Sequence, residues 1–260
     1  MGILNVTPDS FSDGGRFTTS EAIADQVRQM LEAGVDIIDV GGESTRPFAE
    51  PVSEDEELGR VIPAIEAVRR CTDIPVSIDT TKANVARAAL AAGATMVNDI
   101  SALRSDPAML DVVRSCDGPV IIMHMQGTPG DMQVDPRYDD VVAEIRDFLS
   151  ARIDWLAAHG VARDRVIIDP GIGFGKTLEH NLAILRNIPA FKELRCPVLI
   201  GHSRKSFFEK LLGLPVDRRD SVTAQVSAYC AARGADILRV HDVGATRNAI
   251  RLHAALQDPS

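Results

Sequence analysis

Short apolar runs alternate along this chain with longer amphipathic ones. Continuous runs rich in β-branched residues occur at VDIIDV (35–40), IPVSID (74–79), ATMVND (94–99), GPVIIMH (118–124), DRVIID (164–169), CPVLIG (196–201) and ADILRV (235–240), with MGILN at the start. Continuous rather than alternating apolar character predicts parallel strands covered on both faces. Between them the apolar residues recur at helical spacing. Ile23, Val27, Met30 and Leu31 form one stripe, and Val141, Ile145, Phe148, Leu149 and Leu156 another. Glycines in AAG (91–93), HG (159–160) and RG (233–234) mark helix ends. HMQGTPGDMQVDPRYDD (124–140) predicts a long loop after the fifth strand. No internal repeat, low-complexity tract or interdomain linker interrupts the pattern. Eight β-then-α units predict an α/β protein folded as a single (β/α)8 barrel over 1–260, with a doubly wound open sheet as the alternative.

The strand ends share a second pattern. Each closes on polar residues: Asn5, Asp39 with Glu43, Asp79, Asn98 with Asp99, His124, Asp169, Ser203 with Arg204 and Lys205, and Arg239 with His241. In a barrel all eight ends converge on one mouth, where active sites are built. Any one of these residues could cap a helix. Eight in succession argue for a site.

Composition narrows the partners. Of the 260 residues 45% are hydrophobic but only 4% aromatic, so the core must be built from Ala, Val, Ile and Leu. A net charge of −9 argues against nucleic-acid or anionic-membrane partners. An anionic small substrate would need a local cationic cluster. Cys71, Cys116, Cys196 and Cys230 are scattered, with no CxxC pair. They read as reduced residues of a cytoplasmic protein. No run of apolar residues is long enough to span a membrane, and the first residues do not read as a signal peptide. GIGFGKT (171–177) looks like the end of a phosphate-binding loop, but Pro170 stands where that motif needs its first glycine. No dinucleotide fingerprint, HExxH, GxSxG or zinc pattern occurs.

Asp79, Asn98, Asp99 and Asp169 emerge from buried strands and need partners, because an unpaired buried charge is costly. One reading is a salt-bridge ring with Lys205 and Arg239. The other is a polar floor for a heterocycle with several N–H donors and ring acceptors, which carboxylates and an amide suit well. Ser203, Arg204, Lys205, Arg239 and His241 follow the seventh and eighth strands, where barrels often bind phosphate. They would supply the cationic cluster; surface salt bridges are the alternative.

MGILNVTPDSFSDGG, DIIDVGGESTRP, VSIDT, MVNDIS, IIDPGIGFGKT, GHSRKSF and RVHDV resemble, in order and across nearly the whole chain, the motifs of the dihydropteroate synthase family. That resemblance implies a (β/α)8 barrel, a homodimer, and condensation of 6-hydroxymethyl-7,8-dihydropterin pyrophosphate with 4-aminobenzoate, assisted by Mg2+. It implies a pterin pocket of Asp79, Asn98, Asp169 and Lys205, walled by Ile100, Met123 and Phe174. It places Asn5, Arg239 and His241 at the pyrophosphate, with Asn5 also near the metal. It places Phe11, Arg46, Pro47, Phe174 and Ser206 around 4-aminobenzoate. NVTPDSFSDGG and GGESTRPFA would be two mobile loops.

An aromatic amine is neutral at pH 7 and needs little base catalysis. Loss of pyrophosphate from a methylene on an electron-rich ring is the harder step, so an SN1-like path is expected, with cations stabilising the leaving group. Asp13 is then the candidate for screening the cationic intermediate, and Asn5, Arg46 and Lys205 the other residues expected to act in catalysis. A pterin-dependent methyltransferase and a catalytically silent pterin-binding barrel are the alternatives. The chain begins directly at MGILNV, so a short first strand is expected, and His202 stands where a smaller residue is expected.

Overall fold

Side chains along most strands face two apolar surroundings in turn, which is why the runs are continuous; in the second and third strands Asp39 and Ser77 take the inner positions. Ile38, Val40, Val76, Ile78, Val97, Val120, Ile122, Val166 and Ile168 join the large core shared with the helices. Their neighbours Met96, Ile121, Ile167 and Leu199 pack instead with Met1 in a separate cluster. Period-two alternation therefore gives an outer core against helices and an inner core inside a ring of strands.

The computed structural model describes residues 1–6, 16–44 and 50–257, with backbone alone for 16–20. Eight strands are formed: β1 (Gly2–Asn5), β2 (Ile38–Gly41), β3 (Val76–Asp79), β4 (Met96–Asp99), β5 (Val120–Met123), β6 (Val166–Asp169), β7 (Leu199–Ile200) and β8 (Ile237–Leu238). The first six make one sheet in chain order, and β7 with β8 a parallel pair. Single parallel bridges, Ile168 to Val198 and Gly2 to Val240, link β6 to β7 and β8 to β1. The strands thus run round in chain order and the ring closes as a (β/α)8 barrel. Each strand lies within or overlaps an expected run but is shorter, in most cases at its start, where the chain arriving from the preceding helix has not yet joined the ladder.

The helices are α1 (Arg16–Glu32), α2 (Glu54–Cys71), α3 (Ala83–Ala91), α4 (Met109–Ser115), α5 (Val141–Ala158), α6 (Leu178–Arg186), α7 (Ile188–Lys192), α8 (Phe207–Leu212), α9 (Asp220–Ala232) and α10 (Val243–Gln257). Their starts are chemically marked. The Ser53 side chain accepts the Glu56 N–H ahead of α2, whose first turn holds four acids and whose last holds Arg69 and Arg70. Asp140 accepts the Val142 and Ala143 N–H groups ahead of α5. The α5 stripe of Val141, Ile145, Leu149, Ile153 and Leu156 is buried. The 124–140 segment is irregular, as expected, and is strapped to the loop after β6: Gln133 Nε2 donates to the Gly173 carbonyl at 2.6 Å, and Tyr138 Oη to that of Gly175 at 2.8 Å.

Candidate active site

The mouth at the strand ends gathers the expected residues from seven of the eight strands. Asn5 ends β1, Asp79 ends β3, Asn98 lies in β4, Met123 ends β5 and Asp169 ends β6. Lys205 follows β7, and Arg239 and His241 follow β8. Strand β2 contributes Asp39, a residue that sequence reasoning placed among the polar strand ends but gave no role.

Arg239 is the hub. Its Nε donates to Asp39 Oδ2 at 2.6 Å and its Nη2 to Asp79 Oδ2 at 2.6 Å. Asp39 is fully buried, and the Asp79 side chain is 10% exposed at the mouth. The Asn98 amide nitrogen lies 3.4 Å from both Asp39 oxygens. Burial pushes the Asp79 carboxyl up to about 7, against the pull of Arg239. Burial likewise raises Asp169 to about 6, although its Oδ1 accepts the Gly171 N–H at 2.7 Å and Lys205 and Arg239 stand near. Part of the salt-bridge reading therefore holds, with Arg239 paired to Asp39 and Asp79 at the floor.

The apolar wall forms its own cluster of Ile100, Met123, Met125, Met132 and Phe174. Lys205 Nζ sits 3.9 Å from the centre of the Phe174 ring, a cation–π contact. Ser203 Oγ and His241 Nδ1 are 2.8 Å apart, and the same oxygen accepts the His241 N–H at 3.2 Å. Ser206 is exposed and precedes α8 without capping it. A cavity of about 340 Å3 opens beside Asp79 and Ile100, with Glu43, Thr80, Ser101 and Met125 also on its wall. Phe11, Asp13, Arg46 and Pro47 lie outside the described residues.

Two expectations are corrected. Arg204 does not join a cationic cluster: it forms a two-pronged pair with Asp220 on α9, at 2.6 and 2.7 Å. Asp99 is not part of a ligand floor. Its carboxylate accepts the Ser101 N–H at 2.7 Å and the Leu103 N–H at 3.0 Å. It holds a turn in which Ala102 and Leu103 both take positive φ, 55° and 59°. His202 is buried, with Nε2 2.9 Å from Ser227 Oγ and 3.1 Å from the Thr223 carbonyl, so α9 fills the space around it.

Lys176 was missed, hidden in a motif read as a failed phosphate loop. It is 1% exposed. Its Nζ donates to the Phe174 carbonyl at 2.7 Å and lies 3.2 Å from His124 Nδ1. Burial lowers it to about 7, and burial together with the Lys176 charge lowers His124 to about 3. A lysine closing a run of three glycines, Gly171, Gly173 and Gly175, just after a strand end is the signal that sequence alone offered.

Asn5 offers one amide oxygen beside Asp79: Asn5 Oδ1 and Asp79 Oδ2 lie 3.8 and 3.7 Å from where a Cβ on Gly41 would sit. Among the described residues no group of three His, Cys, Asp or Glu side chains could hold a metal ion. This fits Mg2+ only as an ion held mainly by substrate phosphates and water, its usual habit.

A family model described as pterin binding enzyme matches residues 1–241. The dihydropteroate synthase of Synechocystis is 49% identical over 98% of this chain and 89% of its own. The Yersinia pestis dihydropteroate synthase, solved as a sulfonamide drug complex, superposes with a TM-score of 0.93 at 43% identity, covering 99% of this chain and 93% of its own. The Xanthomonas albilineans dihydropteroate synthase in complex with 7,8-dihydropteroate gives 0.90 at 44%, covering 100% and 94%. With the barrel, its mouth and these likenesses in agreement over almost the full length, the chain belongs to the pterin-binding enzyme family, as one of its dihydropteroate synthases.

Proposed function

We propose that the mouth binds the pterin by its polar edge on Asp79, Asn98, Asp169 and Lys205, with Ile100, Met123 and Phe174 against the ring faces. The reaction joins the pterin methylene to the amine of 4-aminobenzoate and releases pyrophosphate. The observation that carries the reading is the acceptor set of Asp79, Asn98 and Asp169 lying in one mouth with Arg239. Carboxylates accept parallel N–H bonds from an amino-pyrimidinone edge. Negative charge beneath an electron-rich ring also favours positive charge developing on it.

The path is SN1-like. The C–O bond to pyrophosphate breaks with both electrons leaving on oxygen, and the ring delocalises the resulting cation. The neutral aromatic amine then adds its lone pair to the methylene and loses a proton to water. Arg239 and His241 hold the leaving pyrophosphate, with Asn5. Mg2+ on the phosphates, with Asn5 as its protein ligand, would add charge neutralisation. Asp13 screens the cation, while Phe11, Arg46, Pro47, Phe174 and Ser206 shape the 4-aminobenzoate site. These assignments rest on motif likeness and, for the described residues, on position in the mouth.

One barrel over 1–260 carries this activity in a cytoplasmic homodimer. The four cysteines are free, and among the described residues no helix is long and apolar enough to cross a membrane. A second cavity of about 330 Å3, between α6, α8 and α9 and lined by Leu185, Phe207, Phe208, Leu211, Leu212 and Val226, suits a subunit contact.

The test mixes purified protein with the pterin pyrophosphate, 4-aminobenzoate and Mg2+ and follows dihydropteroate by chromatography. Product that vanishes when either substrate is omitted is expected. Bound pterin without product would leave a silent barrel.

A further inference from the structure

We infer that Asp39 is a positioning residue that fixes the side-chain amide of Asn98, so that Asn98 presents its oxygen, not its NH2, to the heterocycle. The inference deepens the pterin-pocket reading and rests on it.

An asparagine amide has two ends of nearly equal shape, one donating and one accepting, and only its neighbours decide which end faces which way. Asn98 is buried, at 5% exposure. Its nitrogen lies 3.4 Å from both oxygens of Asp39. A carboxylate only accepts. The opposite orientation would set the amide oxygen against those carboxylate oxygens, a repulsive contact in a buried place. Arg239 Nε, 2.6 Å from Asp39 Oδ2, fixes the carboxylate in turn. Asp39 is itself held in register between Ile3 of β1 and Ser77 of β3. The amide oxygen is thereby turned away from Asp39, as an acceptor for a ligand N–H.

The consequence is selectivity. A site that holds an acceptor in place favours a ligand with a donor there and rejects an isostere with an acceptor, because the mismatched pair is left unbonded. 6-Hydroxymethylpterin and its 2-oxo analogue, 6-hydroxymethyllumazine, differ at the 2-position, an amino donor in the first and a carbonyl acceptor in the second, and at the neighbouring N1, an acceptor in the first and an N–H donor in the second; the Asn98 oxygen is assigned to the 2-position, where only the pterin offers a donor.

The experiment measures the affinity of both compounds by calorimetry for wild type, Asp39→Asn and Asn98→Ala. Asp39→Asn keeps shape, and its own amide can turn to meet either orientation of Asn98. The pterin-over-lumazine ratio is expected to fall about tenfold in both variants. A purely structural role for Asp39 would weaken both ligands alike and leave the ratio unchanged. If Asn98→Ala lowers the ratio and Asp39→Asn keeps it, the inference is overturned and the pocket stands. If Asn98→Ala keeps the ratio, Asn98 does not read that edge, and both the inference and that part of the pocket fall. Should Asp39→Asn not fold, Asp39→Ser, which leaves Arg239 paired with Asp79, is read by the same ratio.

Discussion

Arg239 Nη2 and Asp79 Oδ2 lie 2.6 Å apart although 160 residues separate them in the chain. Together with the Nε contact to Asp39, this one guanidinium ties the residues after β8 to β2 and β3 across the mouth. Arg239→Ala leaves two buried carboxylates facing each other without a counter-charge. The expected loss is about 3–5 kcal/mol in urea unfolding. Arg239→Lys should recover only part of it, since one ammonium cannot reach both partners with a planar fork. An unchanged unfolding midpoint for Arg239→Ala would refute the hub.

Pterin affinity should rise between pH 5 and pH 8. Asp79 and Asp169, raised to about 7 and about 6, give up their protons in that window, and the ionised forms accept the ring N–H groups. The share of unliganded stability that these two carboxyls carry should move the other way, falling up to about pH 7, while His124 below its unfolded value and Lys176 from about pH 7 upward act with the opposite sign. A carboxyl whose folded pKa is raised contributes most below its unfolded value, and that contribution is lost as pH climbs through the folded one. Titrating affinity, and the unfolding free energy of wild type minus that of Asp79→Asn and Asp169→Asn, over the same range checks both signs; a flat binding profile would contradict the role given to the two carboxyls.

Lys176→Met should remove a pH slope in stability. Held to about 7, Lys176 is neutral in the folded chain between pH 7 and pH 9 and protonated in the unfolded one. The unfolded state then binds the extra proton, so stability rises with pH, by about 1.4 kcal/mol per unit for one group. The N-terminal amine, also lowered by burial, adds to the slope with the same sign. The variant should keep only that remainder, read from urea unfolding at pH 7, 8 and 8.5.

Gly171→Ala should be destabilising by about 3 kcal/mol. Gly171 takes φ of 74°, and a Cβ there would lie 2.0 Å from the His124 carbonyl oxygen. Its N–H also holds Asp169, so pterin binding should weaken with stability. Thermal unfolding followed by calorimetry with pterin separates the two losses.

A sulfonamide should inhibit competitively with 4-aminobenzoate, as expected of a drug that binds the Yersinia pestis relative. The apparent KM for 4-aminobenzoate should climb with drug while kcat holds. Inhibition that added 4-aminobenzoate does not relieve would contradict the site assigned around Phe174 and Ser206.

Most of the scaffold was legible because it is written locally. Apolar runs ending in Asp79, Asn98 or Asp169 announce buried strands with polar tips, and the order of runs announces the barrel. What escaped was pairing at a distance. Nothing near Arg204 in the chain predicts its commitment to Asp220. Asp99 and Asn98 are adjacent and chemically alike, yet side-chain alternation sends one to the mouth and the other to a tight turn. Lys176 gains its meaning from His124, on the preceding strand's end. His202 looked oversized only because its partners Ser227 and Thr223 belong to a helix that follows it.

The ring is stitched unevenly. Six strands share continuous ladders, whereas β7 and β8 meet the rest through one bridge on each side, at Ile168–Val198 and Gly2–Val240. Fewer ladder bonds at its two seams predict that this pair exchanges its amides earlier than the six-stranded ladder. Ser203, Lys205, Arg239 and His241 follow that pair, and Asp79, Asn98 and Asp169 do not, so the two Arg239 ion pairs to Asp39 and Asp79 are the rivets that keep the halves of the mouth together.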